Sequence, residues 1–230
     1  MKVVINPGHG QKNNGVYDPG AIGPTGYQEA SFTRDVGQRM ERILKSNGWD
    51  VLLIQDGDLT DVTNQSNAWG ADYFISVHGN SFANQSANGI ETYALSAGGV
   101  GEKIAKEVQK ELIAATGVTD RGVKFSGLHV LKYTNCPAIL AELGFISNPK
   151  EEALMKSDVW KDRVASAICR GFSRAVEAAY KEPDAAPVET PKPVDDQDVY
   201  LSVRVRTSKA DNLVQEIIKM GYACKKLDLA

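Results

Sequence analysis

The chain holds three histidines, His9, His78 and His129, and two of them share a setting. His9 stands in "VVINPGHG" and His78 in "YFISVHGN"; each leaves an apolar, partly β-branched run and precedes a glycine. In an open α/β sheet the exits of parallel strands meet along one edge, where ligands bind, so two imidazoles far apart in sequence can meet there. Neutral imidazole is the commonest protein ligand for a metal, and two histidines with one carboxylate, leaving a fourth position for water, make a usual catalytic zinc shell. Glu29, in "GPTGYQEASF", supplies a carboxylate at the start of a helix, where the helix dipole favours negative charge. Glu142 ends the apolar run in "CPAILAELGFISNP", a place where ionisation is costly without a partner. Beside a zinc-activated water it could accept a proton and return it to a leaving amine, the work of a general base.

Each residue also has a plainer role on pattern alone. A lone strand-end histidine is more often structural than a ligand, and His9 could cap the next turn. Glu29 competes as a simple helix-start residue. His129, in "FSGLHVLKY", is assigned first to a structural role and second to lining a substrate cleft; Asn80, just past His78, is the other candidate for substrate contact.

The elements that must position these groups follow from the apolar pattern. "KVVI", "DVLLIQ", "YFISVH", "GIETYAL", "HVLKY" and "AILAELG" read as strands bounded by Gly, Asn and Pro. Residues 30–47 carry Phe32, Val36, Met40, Ile43 and Leu44 at near-helical spacing, and residues 100–114 carry Val100, Ile104, Val108 and Leu112. Val164, Ile168, Phe172 and Val176 predict a third long helix over 158–180. Strands alternating with helices predict an α/β domain, its mostly parallel sheet flanked by helices.

With 42% hydrophobic residues in 230, the chain can bury one core and carry a small extra module. A net charge of -3 provides no global basic field, which argues against nonspecific nucleic-acid binding. No run approaches the roughly 20 apolar residues of a membrane span, so no membrane insertion is expected. Met1-Lys2 leads directly into a strand, so no signal peptide and synthesis in the cytoplasm are expected. Cys136, Cys169 and Cys224 are widely spaced and form no CxxC pair, which predicts neither a disulfide framework nor a thiolate zinc site.

Three segments are expected: a catalytic domain over 1–180, a linker over 181–198 and a small module over 199–230. The linker, "KEPDAAPVETPKPVDDQD", holds four prolines and almost no large apolar side chain. Beyond it "YLSVRVR", "ADNLVQEIIKMG" and "YACKKLDL" read as a β-α-β unit, too small to fold readily alone and therefore expected to pair with a copy of itself as a homodimer or to dock elsewhere.

The stretches "VVINPGHG", "DPGAIGPTGYQE", "FISVHGNSF", "GIETYAL" and "RGVKFSGLHVLKYTNCPAILAELGFISNPKEEALM" resemble, in order and spacing, the zinc-dependent N-acetylmuramoyl-L-alanine amidases of the Amidase_3 family, over residues 2 to about 178. The resemblance implies hydrolysis of the amide between the lactyl group of N-acetylmuramic acid and L-alanine in peptidoglycan. It implies Zn²⁺ held by His9, Glu29 and His78, with Glu142 as the catalytic glutamate. Asn6 departs from the family's usual Asp and Gly79 from its commoner Ala; neither change removes a ligand, and Asn6 can still bond the adjoining loop or the second nitrogen of the ligand histidine. The stretch between "VLLIQD" and "YFISVH" leaves no room for the autoinhibitory helix of some relatives. The tail resembles half of a SPOR-like wall-binding module; a dimerisation element without a ligand is the equal alternative.

A wall hydrolase without a leader is expected to be a phage endolysin, made in the host cytoplasm and released to the wall through a holin pore, with a leaderless host autolysin as the alternative. Two rival classes share part of the pattern. A zinc peptidase cutting the stem peptide would use the same His/Glu/His shell, and a non-catalytic wall-binding protein would have no use for all four residues.

Overall fold

The computed structural model describes residues 1–182. The expected linker, from residue 183 onward, the 199–230 module, its proposed dimerisation and Cys224 lie outside the described residues.

In chain order the elements begin with β1 (Lys2–Pro7), the short strands β2 (Gly10–Gln11) and β3 (Tyr17–Asp18), and α1 (Glu29–Ser46). β4 (Asp50–Leu53), α2 (Leu59–Trp69), β5 (Tyr73–Asn80), β6 (Ile90–Ala94) and α3 (Val100–Thr116) follow. β7 (Asp120–Phe125), α4 (His129–Tyr133), β8 (Ala138–Phe145), α5 (Pro149–Lys156) and α6 (Asp158–Ala175) complete the domain. Six strands form one sheet in the order β4-β1-β5-β8-β6-β7. Neighbours are parallel except at β8 and β6, which run antiparallel. The α/β architecture with a mostly parallel sheet between helices is therefore as the sequence predicts.

The central strands are apolar at nearly every position because both faces are covered. Val3 and Ile5 of β1, Ile75 and Val77 of β5, and Ile139, Ala141 and Leu143 of β8 pack on one face against α1, α3 and α6. Val4, Phe74 and Leu140 point to the other, where Val62 of α2 and Val130 and Leu131 of α4 meet them. His78 and Glu142 follow the parity of Phe74 and Leu140, so they stand where the apolar lining of this second face stops, at the exits of β5 and β8.

Three sequence expectations are corrected. "HVLKY" is not a strand but the one-turn helix α4: five residues of mixed apolar and polar type fit either shape, and a turn places Val130 and Leu131 together against the sheet. The last helix ends at Ala175 rather than 180, with Glu177 in a left-handed conformation at φ 57°. β7, α2 and α5 are additional elements.

Candidate active site

His9 leaves β1 with φ 65°, a left-handed backbone conformation uncommon outside glycine. That turn swings its imidazole back over the sheet edge toward α1. Glu29 opens α1 and is buried; Glu29 N donates to Ala21 O, and Ala21 N donates to Glu29 Oε2 at 2.9 Å, so helix start and preceding loop hold each other. The other carboxylate oxygen, Oε1, accepts from Gly79 N at 3.0 Å and lies 2.9 Å from His78 Nδ1. His9 Nε2 lies 3.2 Å from Glu29 Oε2. Together His9, Glu29 and His78 present three ligand atoms that all lie within 4.8 Å of one another.

Two glycines make room for this approach. A Cβ on Gly8 would stand 2.2 Å from His78 Cε1. On Gly20 it would stand 2.6 Å from His9 Cδ2 and 2.7 Å from Glu29 Oε2, at a φ of +67°.

The donor set fits a zinc ion. Two imidazoles and one carboxylate within 4.8 Å of one another are the donor types of a catalytic zinc shell. His9 and Glu29 shift each other's ionisation. The hydrogen bond from Glu29 outweighs burial and lifts His9 to about 9. Burial opposes ionisation of Glu29, but its bonds to His78 and His9 win and keep the carboxyl well below the usual carboxylate range.

Sequence reasoning missed Asp18. Its Oδ2 lies 3.2 Å from His9 Nδ1 and 3.2 Å from Lys12 Nζ, while Oδ1 accepts from Gly20 N at 3.0 Å. Despite some desolvation, those bonds hold its carboxyl down to about 2. A carboxylate on the far nitrogen of a ligand histidine fixes tautomer and ring direction. Asn6, offered as a partner for that nitrogen, does not take the role: its Nδ2 donates to Ile54 O at 2.8 Å and its Oδ1 accepts from Ser76 Oγ at 2.8 Å.

Glu142 is the Cα partner of His78 on β5 and of Glu91 on β6. Its Oε2 is buried with no hydrogen-bond partner. Burial pushes the carboxyl up to about 7; nearby Glu29 and Glu91 add to the rise and His78 opposes it. An unpartnered carboxylate that changes protonation near neutrality, one strand from the His/Glu/His cluster, can take up and release a proton there. Glu91 itself accepts from Arg121 Nε and Lys124 Nζ, both at 2.5 Å, from Tyr93 OH at 2.7 Å and from Asn80 Nδ2 at 3.1 Å.

Of the two candidates for substrate contact, Asn80 belongs to this Glu91 cluster. His129 instead joins His9, His78, Asn6, Asp18 and Asp58 around a cavity of ≈ 580 Å³. His129 Nε2 is buried there without a partner, and its ring packs on Tyr133 at 4.5 Å.

Residues 3–174 match the family model Amidase_3, N-acetylmuramoyl-L-alanine amidase. The chain belongs to this family of peptidoglycan amidases. Among relatives, the chain is 34% identical over 175 residues to the N-acetylmuramoyl-L-alanine amidase LytC of Bacillus subtilis (strain 168), covering 74% of this chain and 34% of that protein. The chain thus spans about a third of the length of that relative. It is 32% identical over 202 residues to the endolysin of Bacillus phage SPP1, covering 83% of this chain and 72% of that one. The catalytic domain of CwlV, an N-acetylmuramoyl-L-alanine amidase from Bacillus (Paenibacillus) polymyxa var. colistinus, superposes with a TM-score of 0.71 at 33% identity, covering 77% of this chain and 99% of that domain. The residues through which the chain resembles the Amidase_3 amidases as zinc ligands are the three whose ligand atoms converge.

Proposed function

We propose that the chain is a zinc-dependent amidase that cleaves the bond between N-acetylmuramic acid and L-alanine in peptidoglycan, with His9, Glu29 and His78 as metal ligands and Glu142 as general base. The observation that carries this is the convergence of those three side chains beside a buried, unpartnered carboxylate oxygen. Zinc, when bound, polarises the scissile carbonyl and acidifies water. Glu142 would take a proton from the attacking water and deliver it to the departing alanine nitrogen; its burial allows it to hold that proton near neutrality. Asp18 would orient His9, and the backbone N–H of Gly79 and Ala21 would keep Glu29 in place.

The biological role that fits is that of a phage endolysin, released to the cell wall through a separate holin pore. In support, the match to a phage endolysin takes in more of this chain than the match to LytC.

The test is a turbidity assay on purified cell walls, with and without a chelator, followed by mass spectrometry of the soluble products. Clearing that stops with the chelator, returns with Zn²⁺ and frees intact stem peptides beginning with L-alanine is the expected result. Fragments cut within the stem would mean a peptidase, and clearing indifferent to chelation would remove the zinc.

A further inference from the structure

The two sides of the catalytic edge differ in cover and in the groups they present. On the β1 and β4 side lies the cavity lined by Asp18 and Asp58 and by the candidate ligands His9 and His78; Lys12 there is paired with Asp18. On the far side, beyond Glu142, lie β6 and β7. Glu91 and Glu142 are antiparallel Cα partners and so share a face; Tyr93 follows two residues on, and Lys124 is the partner of Tyr93. The helix that packs on β6 and β7 is α3, whose Ile104, Val108 and Leu112 join the core on the opposite face. The face carrying Glu91 is left to polar groups, with Arg121 and Lys124 each roughly a third exposed at 34% and 38%.

These two cations share one carboxylate. Glu91 is 3% exposed in its side chain and offers a single carboxylate to both. Both are held in place: the Arg121 guanidinium lies 4.8 Å over the Phe145 ring and Lys124 Nζ lies 5.9 Å over Tyr93. Each retains N–H groups beyond those given to Glu91 and, for Arg121 Nη1, to Asn88 O at 3.3 Å.

On the amidase function proposed above, the substrate is itself asymmetric: a neutral, hydroxyl-rich sugar on one side of the scissile amide and a carboxylate-bearing peptide on the other. We propose that Arg121 and Lys124, anchored on Glu91, form the subsite for a carboxylate of the stem peptide. The peptide then runs over β6 and β7, and the sugar lies over the cavity lined by Asp58 and His129. Glu91 is a positioning residue.

The test compares N-acetylmuramoyl-L-alanyl-D-glutamic acid with its diamide as substrates of the full chain. Charge-assisted hydrogen bonds to a carboxylate predict a kcat/KM about tenfold or more higher for the acid. In Lys124→Gln and Arg121→Gln that ratio should collapse toward one. Equal rates on both substrates with the unmodified chain, or a ratio untouched by both substitutions, would overturn the subsite while leaving the amidase intact. If neither substrate is cleaved, titration with L-alanyl-D-glutamic acid and its diamide decides. Preference for the acid that is lost in Lys124→Gln upholds the subsite without the amidase, and no preference removes the subsite too.

Discussion

Glu142 and His78 face each other as Cα partners on adjacent parallel strands, so the general base candidate is set one strand spacing from a candidate metal ligand by backbone pairing alone. Such a separation survives side-chain substitution, which makes the two roles separable. Glu142→Gln should lower amidase turnover by at least about 10²-fold while leaving zinc content at that of the unmodified chain. Metal analysis and the wall-clearing rate check this, and full activity in the variant would discard the assignment.

His78→Ala should behave differently, losing zinc and activity together. It removes one of three ligand atoms, and the remaining His9 and Glu29 pair is too few for a stable catalytic shell. Zinc retained at full stoichiometry in this variant would contradict the ligand set.

Asp18→Asn tests the partner of His9. It keeps the size of the side chain but weakens the hold on His9 Nδ1 and the pair with Lys12. A loss of about 10- to 100-fold in zinc affinity is expected, read by competition with a chelating dye.

Glu142 also makes a pH signature in the metal-free protein. Its folded pKa of about 7 lies above the ordinary carboxylate value, so its protonated form favours the fold. That contribution is fully present below about pH 4.5 and is lost as pH rises through 7. Glu142→Gln, which cannot ionise, should therefore be the more stable protein at pH 8, by on the order of 3 kcal/mol, and should lose the advantage near pH 4. Denaturant titrations at the two pH values measure it, and curves that stay parallel would remove the burial argument.

Gly8→Ala should cost metal binding more than folding. The added methyl meets the His78 ring at 2.2 Å, and the ring is the part of that contact able to move. Zinc titration and thermal unfolding, run side by side, separate the two effects.

Much of this was legible in the sequence because the chemistry sits at strand ends. Val3, Val4 and Ile5 announce a buried strand whose exit is marked by Pro7 and Gly8, and an apolar run likewise precedes His78, with Gly79 after it. Glu142 was visible as a lone carboxylate in an otherwise apolar strand. Asp18 was not, because its contact with His9 depends on the pairing of the two-residue strands β2 and β3, which carry no periodic signal. Nor was α2, whose buried residues Val62, Thr63 and Ser66 include only one large apolar side chain. β7 escaped for a related reason: an edge strand reading "DRGVKF" has no apolar alternation to detect. The signal for α5 was present in "SNPKEE", where Asn148 caps the helix and Pro149 opens it.

The reversal of β6 against β8 divides the labour of the domain along the chain. All three side chains whose candidate ligand atoms converge come from the first 80 residues, whereas both cations beyond Glu142 come from β7. With the subsite and the metal ligands proposed above, a graft exchanging only the segment from β6 through β7 should retune which peptides are accepted and leave the three proposed ligands as they stand.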